Sequence, residues 1–306
     1  ATTESYTLSL HDALPICAVY QGGGHAGTTN NTISAYFPET NKWVDAFKPQ
    51  WPPSIFHNWG CCYVPSFERG TSLHVHARSY HSLDGRMVEG HQAGFEWSTR
   101  ETPAAAGPVG GPVVDVARRR LIGFVKSHYR DTGTNHLEIT DLATGKVERR
   151  KMEGPNPQTN ISTMCVIPER NLLMALASSD GQKGPTVTWL LDLAKLDAWQ
   201  KVEPKSPPPE AEFRGEGGMQ LVFIPGTDYV VLAAKDGRDL WVYSLDRKDW
   251  RMLPTEDGGK RGARFDLYPQ IVWDRHHGVI VFVVIRGGGA ACETMLLRPD
   301  FGKIQW

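Results

Sequence analysis

The feature that most constrains the fold is one pattern that recurs five times: an apolar strand, a turn and a second apolar strand. It occurs at residues 61–65 (CCYVP) with 72–76 (SLHVH), 113–116 (VVDV) with 121–125 (LIGFV), 164–168 (MCVIP) with 172–176 (LLMAL), 221–225 (LVFIP) with 229–232 (YVVL), and 270–274 (QIVWD) with 279–283 (VIVFV). Taking Pro65, Val116, Pro168, Pro225 and Asp274 as equivalent, the spacings are 51, 52, 57 and 49 residues. A period of that size marks a repeat architecture, in which no unit buries its apolar surface alone and each stacks on its neighbours. The run 279–285 is apolar without alternation, the pattern of a strand buried on both faces. Each unit continues with a third strand, a turn and a fourth strand carrying a large aromatic. Residues 33–36 lead to Trp43, 189–192 to Trp199, 240–243 to Trp250 and 295–297 to Trp306.

These observations predict an all-β chain of four-stranded blades, with large aromatics filling the wedge between diverging neighbours. The details resemble the kelch family. Its blade signature is a Gly pair ending strand two, then a Tyr and a Trp with six residues between them. Gly22, Gly23 and Gly24 with Tyr36 and Trp43 match it; Tyr243 and Trp250 keep the aromatic spacing, and Gly287, Gly288 and Gly289 keep the glycines. The third to fifth blades lack the Gly pair, and the second has Trp97 without a later Trp. The resemblance therefore covers the architecture throughout and the motif in two or three blades. It implies a kelch-like β-propeller and a secreted or periplasmic protein, and it says little about activity.

Residues 1–16 read differently. They resemble one translated frame of a short-read sequencing adapter, departing from it at Ser5. The expectation is an artefact over 1–16 and a single propeller domain over 17–306, truncated at its N-terminus, with truncation at the C-terminus as an open alternative. Six blades are then visible. In the first, residues 17–21 (CAVYQ) align with strand two, so its inner strand is expected to be missing, and the native ring has room for a seventh blade.

Composition excludes several functions. The formal net charge of -1 gives no bias toward nucleic acid. No apolar run approaches the ~18 residues of a membrane span. The 5 Cys are odd in number and form no C-x-x-C pair, so neither a disulfide framework nor a thiolate zinc motif is expected. Cys62 and Cys165 occupy the same position of the repeat, where a small apolar core residue fits. There is no nucleophile elbow, phosphate loop or H-E-x-x-H motif. No cofactor is expected. The ligands of a galactose-oxidase-like copper centre cannot be assigned in this sequence.

A four-strand meander sends its one–two and three–four turns to one end, and its two–three loops and blade-to-blade connections to the other. This sorting puts His25, His81, His91 and His128 in or beside two–three loops of the first three blades, and His57 in the connection into the second. Arg78, Tyr80, Tyr129, Arg130 and Asp131 share those loops. A second column precedes the inner strands: His57 and Asn58, then Asn160, Glu216 and Asp266, with Arg214, Arg264 and Tyr268 nearby. It is expected to ring the channel mouth, a usual place for a ligand site. His276 and His277 fall at the other end.

Two functions follow. The first is a binding module presenting this His/Arg/Tyr-rich face to a glycan or protein, with Trp59 and Tyr268 able to stack on a sugar; a monomer is expected. The second is a polysaccharide lyase acting by β-elimination at a uronate. There Arg130 or a protonated His neutralises the substrate carboxylate, while His57, His81, His128 and Tyr129 supply the base and acid. His74, His76 and Arg78 form one stripe along a strand, since residues two apart share a face. Histidines at that spacing can bind zinc. No third ligand is evident, so no metal is assigned, and His74 and His76 are the candidates for one.

Overall fold

In the computed structural model the described residues are 18–21, 33–37, 40–47, 61–63, 72–76, 79–88, 91–101, 113–124, 136–178, 186–206, 220–233, 240–254, 267–275, 277–286 and 291–306. They form antiparallel meanders in which consecutive strands pair in order, the blade topology of a β-propeller. The chain divides into two compact units, 1–101 and 102–306.

The first unit holds two sheets. One is β1 (Ala18–Gln21), β2 (Ile33–Phe37) and β3 (Lys42–Phe47), with residues 18–21 paired to β2. The other is β4 (Cys61–Tyr63), β5 (Ser72–His76), β6 (Ser79–Val88) and β7 (His91–Glu101). The adapter-like residues lie outside the described residues.

The second unit stacks four sheets. They are β8 to β11 (Val113–Asp115, Arg120–Phe124, His136–Asp141, Val147–Lys151), β12 to β15 (Gln158–Ile167, Leu172–Ser178, Thr186–Asp192, Gln200–Val202), β16 to β19 (Gln220–Phe223, Tyr229–Ala233, Leu240–Ser244, Asp249–Leu253) and β20 to β22 (Leu267–Asp274, Val279–Arg286, Ala291–Leu297). All five sequence repeats coincide with first and second strands.

The continuous apolar runs are explained by which way alternate residues face. On β13, Leu173, Ala175 and Ala177 pack with Ile122, Leu137 and Met152 of the preceding sheet. Met174 and Leu176 on the same strand pack with Leu221, Val230 and Trp250 of the following one. On β17, Val230 and Leu232 face back while Val231 and Ala233 face forward, onto Ile271, Ile280 and Phe282. A sheet apolar on both faces must be sandwiched, and each buried Leu, Ile or Val contributes about 1.5–3 kcal/mol.

Polar groups also cross between sheets. At the first strands, the Leu221 N–H donates to Thr163 Oγ1 at 3.2 Å and the Ile271 N–H to Gln220 Oε1 at 2.8 Å. Farther out, Trp250 Nε1 donates to Thr188 Oγ1 at 2.9 Å, both residues being fully buried.

The aromatic spacing has a backbone cause. Tyr36 stands opposite Trp43, and Tyr243 opposite Trp250. In the latter hairpin the Lys248 N–H closes an α-turn on the Ser244 carbonyl, with Lys248 left-handed at φ 54°. Gly145 closes an equivalent turn at φ 74°, whereas the Leu196 turn, at φ 51°, leads into a different register in which Leu190 stands opposite Gln200. The Lys248 turn puts residues seven apart in register, so Tyr and Trp become a cross-strand pair.

Trp306 departs from the fourth strand expected of it. Pro299 has no N–H for a ladder. The Asp300 carboxylate accepts from the Gly302 N–H at 3.1 Å, starting a 3-10 turn over Phe301–Lys303. Trp306 instead stacks on Tyr229 of the preceding sheet, with centroids 5.9 Å apart and planes at 8°. It still fills an inter-sheet wedge, without joining a strand.

The turn residues give contrasting expectations. Lys248 is exposed, so Lys248→Gly relieves a left-handed strain of about 1 kcal/mol and leaves stability unchanged or slightly raised. Leu196 is fully buried, so Leu196→Gly costs about 2–5 kcal/mol despite the same relief. Urea unfolding of both variants checks the difference; equal effects would contradict it.

Candidate functional site

Both ends of the second unit follow from strand direction. At the turn end, the one–two and three–four turns of each sheet are tied by one recurring backbone bond: Leu142 N–H to Arg119 C=O, Leu193 to Asn171, and Leu245 to Asp228, at 2.8 to 2.9 Å. The charged residues there bind one another and the next sheet. Asp115, 2% exposed, accepts from Arg118 Nη1 at 3.1 Å and Arg120 Nε at 2.9 Å. Arg118 also donates to Asn171 Oδ1 at 2.5 Å, and Arg120 to the Leu193 carbonyl. Burial lowers the Arg120 pKa, and Asp115 pushes it back up. Glu169 accepts from the Gly226 N–H at 2.8 Å, and Arg170 pairs with Asp246 at 2.7 Å.

Three further titratable groups belong to the framework. Glu138 is buried; that burial pushes its carboxyl up, against the pull of the Arg149 guanidinium 3.3 Å away. Tyr243 is buried beneath Trp250, its hydroxyl without a partner among the described residues, and burial then the Asp249 charge raise its pKa. His277 lies in the β20–β21 turn, as expected of it, with Nδ1 2.6 Å from Asp274 Oδ2. His276 lies outside the described residues. Among the described residues, no cluster of three His, Cys, Asp or Glu side chains is placed to hold a metal ion.

The segments singled out from sequence connect the strands of the two units. His25 falls between β1 and β2; His128, Tyr129, Arg130 and Asp131 between β9 and β10; His57, Asn58 and Trp59 between β3 and β4; Arg214 and Glu216 between β15 and β16; Arg264 and Asp266 between β19 and β20. All of these residues, and Arg78 between β5 and β6, lie outside the described residues. Asn160 and Tyr268 are placed within strands β12 and β20, not ahead of them.

The second sheet corrects the sorting. Only residues 77–78 separate β5 from β6, so Tyr80 and His81 are strand residues, opposite Val75 and His74. His91 opens β7 opposite Val88, in the three–four hairpin and away from the two–three end. The cause is an unusually long hairpin of 10 and 11 residues. Its sequence signal is the Glu89-Gly90 pair between two runs of strand formers.

No family model matches the sequence, and no curated protein matches it. Among solved structures, a chain from the crystal structure of a nidogen/laminin complex is similar over 94% of this chain and 90% of its own, with TM-score 0.57 and 10% identity. A chain from the crystal structure of a mitotic checkpoint complex is similar over 87% and 70%, with TM-score 0.45 and 12% identity. The first likeness is one of fold, that of a β-propeller. No helix among the described residues is long and apolar enough to cross a membrane.

Cys165 tests the core assignment directly. It is a free thiol packed between sheets, and burial pushes its pKa far above that of an exposed cysteine. Thiolates react and thiols do not. Alkylation followed by peptide mapping should leave Cys165 unmodified in the native protein and label it in denaturant. Labelling at the unfolded rate under native conditions would contradict the packing.

Proposed function

We propose that this chain is a kelch-type propeller module that binds a partner protein through the end bearing the two–three and blade-to-blade connections. The observation that carries the reading is how the turn end uses its polar groups. Arg118, Arg120, Glu169, Arg170 and Asn171 hold neighbouring sheets together, and Asp115 holds the two arginines in place. Their hydrogen-bonding capacity serves the framework. The repeat pattern assigns Tyr129, Arg130, Arg214 and Arg264 to connections of the second unit and Trp59 to one of the first, and connections on a rigid scaffold are where binding residues concentrate. Tyr, Trp and Arg are the types that anchor protein interfaces. The fold-level likeness to a chain in a nidogen/laminin complex supports a protein as the partner. Glycan recognition is the alternative occupant of the same end. The lyase alternative, with His57, His81 and His128 in acid–base roles, rests on sequence placement and is weakened by the strand position of His81.

Three arms separate these readings on the full chain. A protein captured by the immobilised chain is purified and titrated against it. Saturable binding that falls at least about tenfold in Tyr129→Ala/Arg130→Ala, with unchanged unfolding, is the expected result. Binding of uronate-free or uronate-containing oligosaccharides with no protein ligand would replace the protein reading with the glycan one. Unsaturated product appearing from an acidic polysaccharide would replace both.

A further inference from the structure

The last sheet of the second unit differs from its neighbours at one edge. Among the described residues it has three strands where the other three sheets have four, and β22 (Ala291–Leu297) pairs with β21 alone. The chain's own continuation does not take the fourth place. After Pro299 it is fastened to the preceding sheet: Arg251 Nε donates to the Gln305 carbonyl at 3.2 Å, Arg247 lies 5.5 Å over the Trp306 ring, and Ile304 is buried. First strands pack on one another from sheet to sheet, so β22 lies at the rim of this unit with β11, β15 and β19.

The rim strands are not alike. β11 carries Arg149, Arg150 and Lys151, β15 carries Lys201 and β19 carries Arg251. Charged side chains on an edge strand discourage its pairing with another chain. β22 reads ACETMLL, with no Lys, Arg or Pro. Its Leu296 stands opposite the third residue of β21, the position that Ile139, Leu190 and Val242 hold in the other three sheets. Those three are at most 8% exposed, whereas Leu296 is 44% exposed. β22 is thus an interior strand by sequence that stands at an edge.

We propose that β22 pairs antiparallel with β22 of a second copy of this chain, about a two-fold axis at Thr294. A two-fold interface asks only that a surface complement itself. With Thr294 at the centre, all 7 residues of each strand gain a partner. Thr294 then faces Thr294 of the second copy, Glu293 faces Met295, Cys292 faces Leu296 and Ala291 faces Leu297. Thr–Thr is a favourable cross-strand pair, and no carboxylate faces another. An axis at Glu293 would set two carboxylates opposite each other, and any centre other than Thr294 shortens the ladder. Glu293 is the strand's one charge, which gives a foreign segment little to recognise. The pairing uses up both edges, so it stops at two copies. A dimer departs from the monomer expected from sequence, and it stands independently of the partner-binding end.

Sedimentation of the full chain over a range of concentrations tests the pairing. Wild type should pass from monomer to dimer as concentration rises. Leu296→Lys, which sets a cation on the edge, should weaken association at least about tenfold with unchanged urea unfolding. Met252→Lys, at an exposed apolar side chain of β19, should associate as wild type does. Thr294→Cys in a Cys292→Ser background reads the register. Mild oxidation should yield a covalent dimer whose bridge maps to position 294 in both copies, since directly opposed strand residues lie within disulfide reach. A chain that stays monomeric at every concentration, alone or holding a foreign polypeptide, overturns the proposal. So does a dimer that Leu296→Lys leaves intact, or one that forms no bridge at position 294.

Discussion

Everything described in the second unit depends on one constraint: its central strands are apolar on both faces. Leu173 and Met174 are consecutive and both fully buried, as are Val230 and Val231. A strand with one wet face would expose every second of these residues. Only a neighbour on each side removes them all from water, which is why the sheets stack and none is an independent domain. Hydrophobic area supplies the driving force but little direction. Direction comes from the few polar bonds that cross between sheets, at Thr163, Gln220 and Thr188. Each is placed where an unpaired buried donor would be costly, so each favours one relative setting of two sheets.

The turns carry the same logic outward. An α-turn with a left-handed residue sets which strand positions face each other. The recurring bond from Leu142, Leu193 and Leu245 to the neighbouring turn then locks the hairpin ends together. Arg and Asp side chains at this end are spent on the next sheet. The charged surface of the turn end is therefore largely a fastening, and ligand chemistry has more room where the long connections lie.

Much of the fold was legible because period and register have simple sequence signals. The five apolar repeats located the first and second strands. The Tyr36–Trp43 and Tyr243–Trp250 spacing anticipated a cross-strand pair because a turn of fixed geometry lies between its members. Two features were harder to read. The long hairpin of β6 and β7 is rich in His, Ser and Arg, and strand pairing there overrides weak residue preferences. Trp306 carries the right residue type for a fourth strand, yet Pro299 and Asp300 turn the backbone before pairing can begin. The candidate site was legible only in part. The repeat pattern assigns His57 and His128 to connecting segments, and that pattern does not say which side chains meet.

The central claim is that adjacent sheets are held in register by specific buried contacts as well as by apolar area. A double-mutant cycle on Thr188 and Trp250 tests it most directly, using Thr188→Val and Trp250→Phe with stability read from urea unfolding. The 2.9 Å bond joining their buried side chains predicts a coupling energy of about 1 kcal/mol or more. Strictly additive effects would mean that the two sheets are not packed in this register.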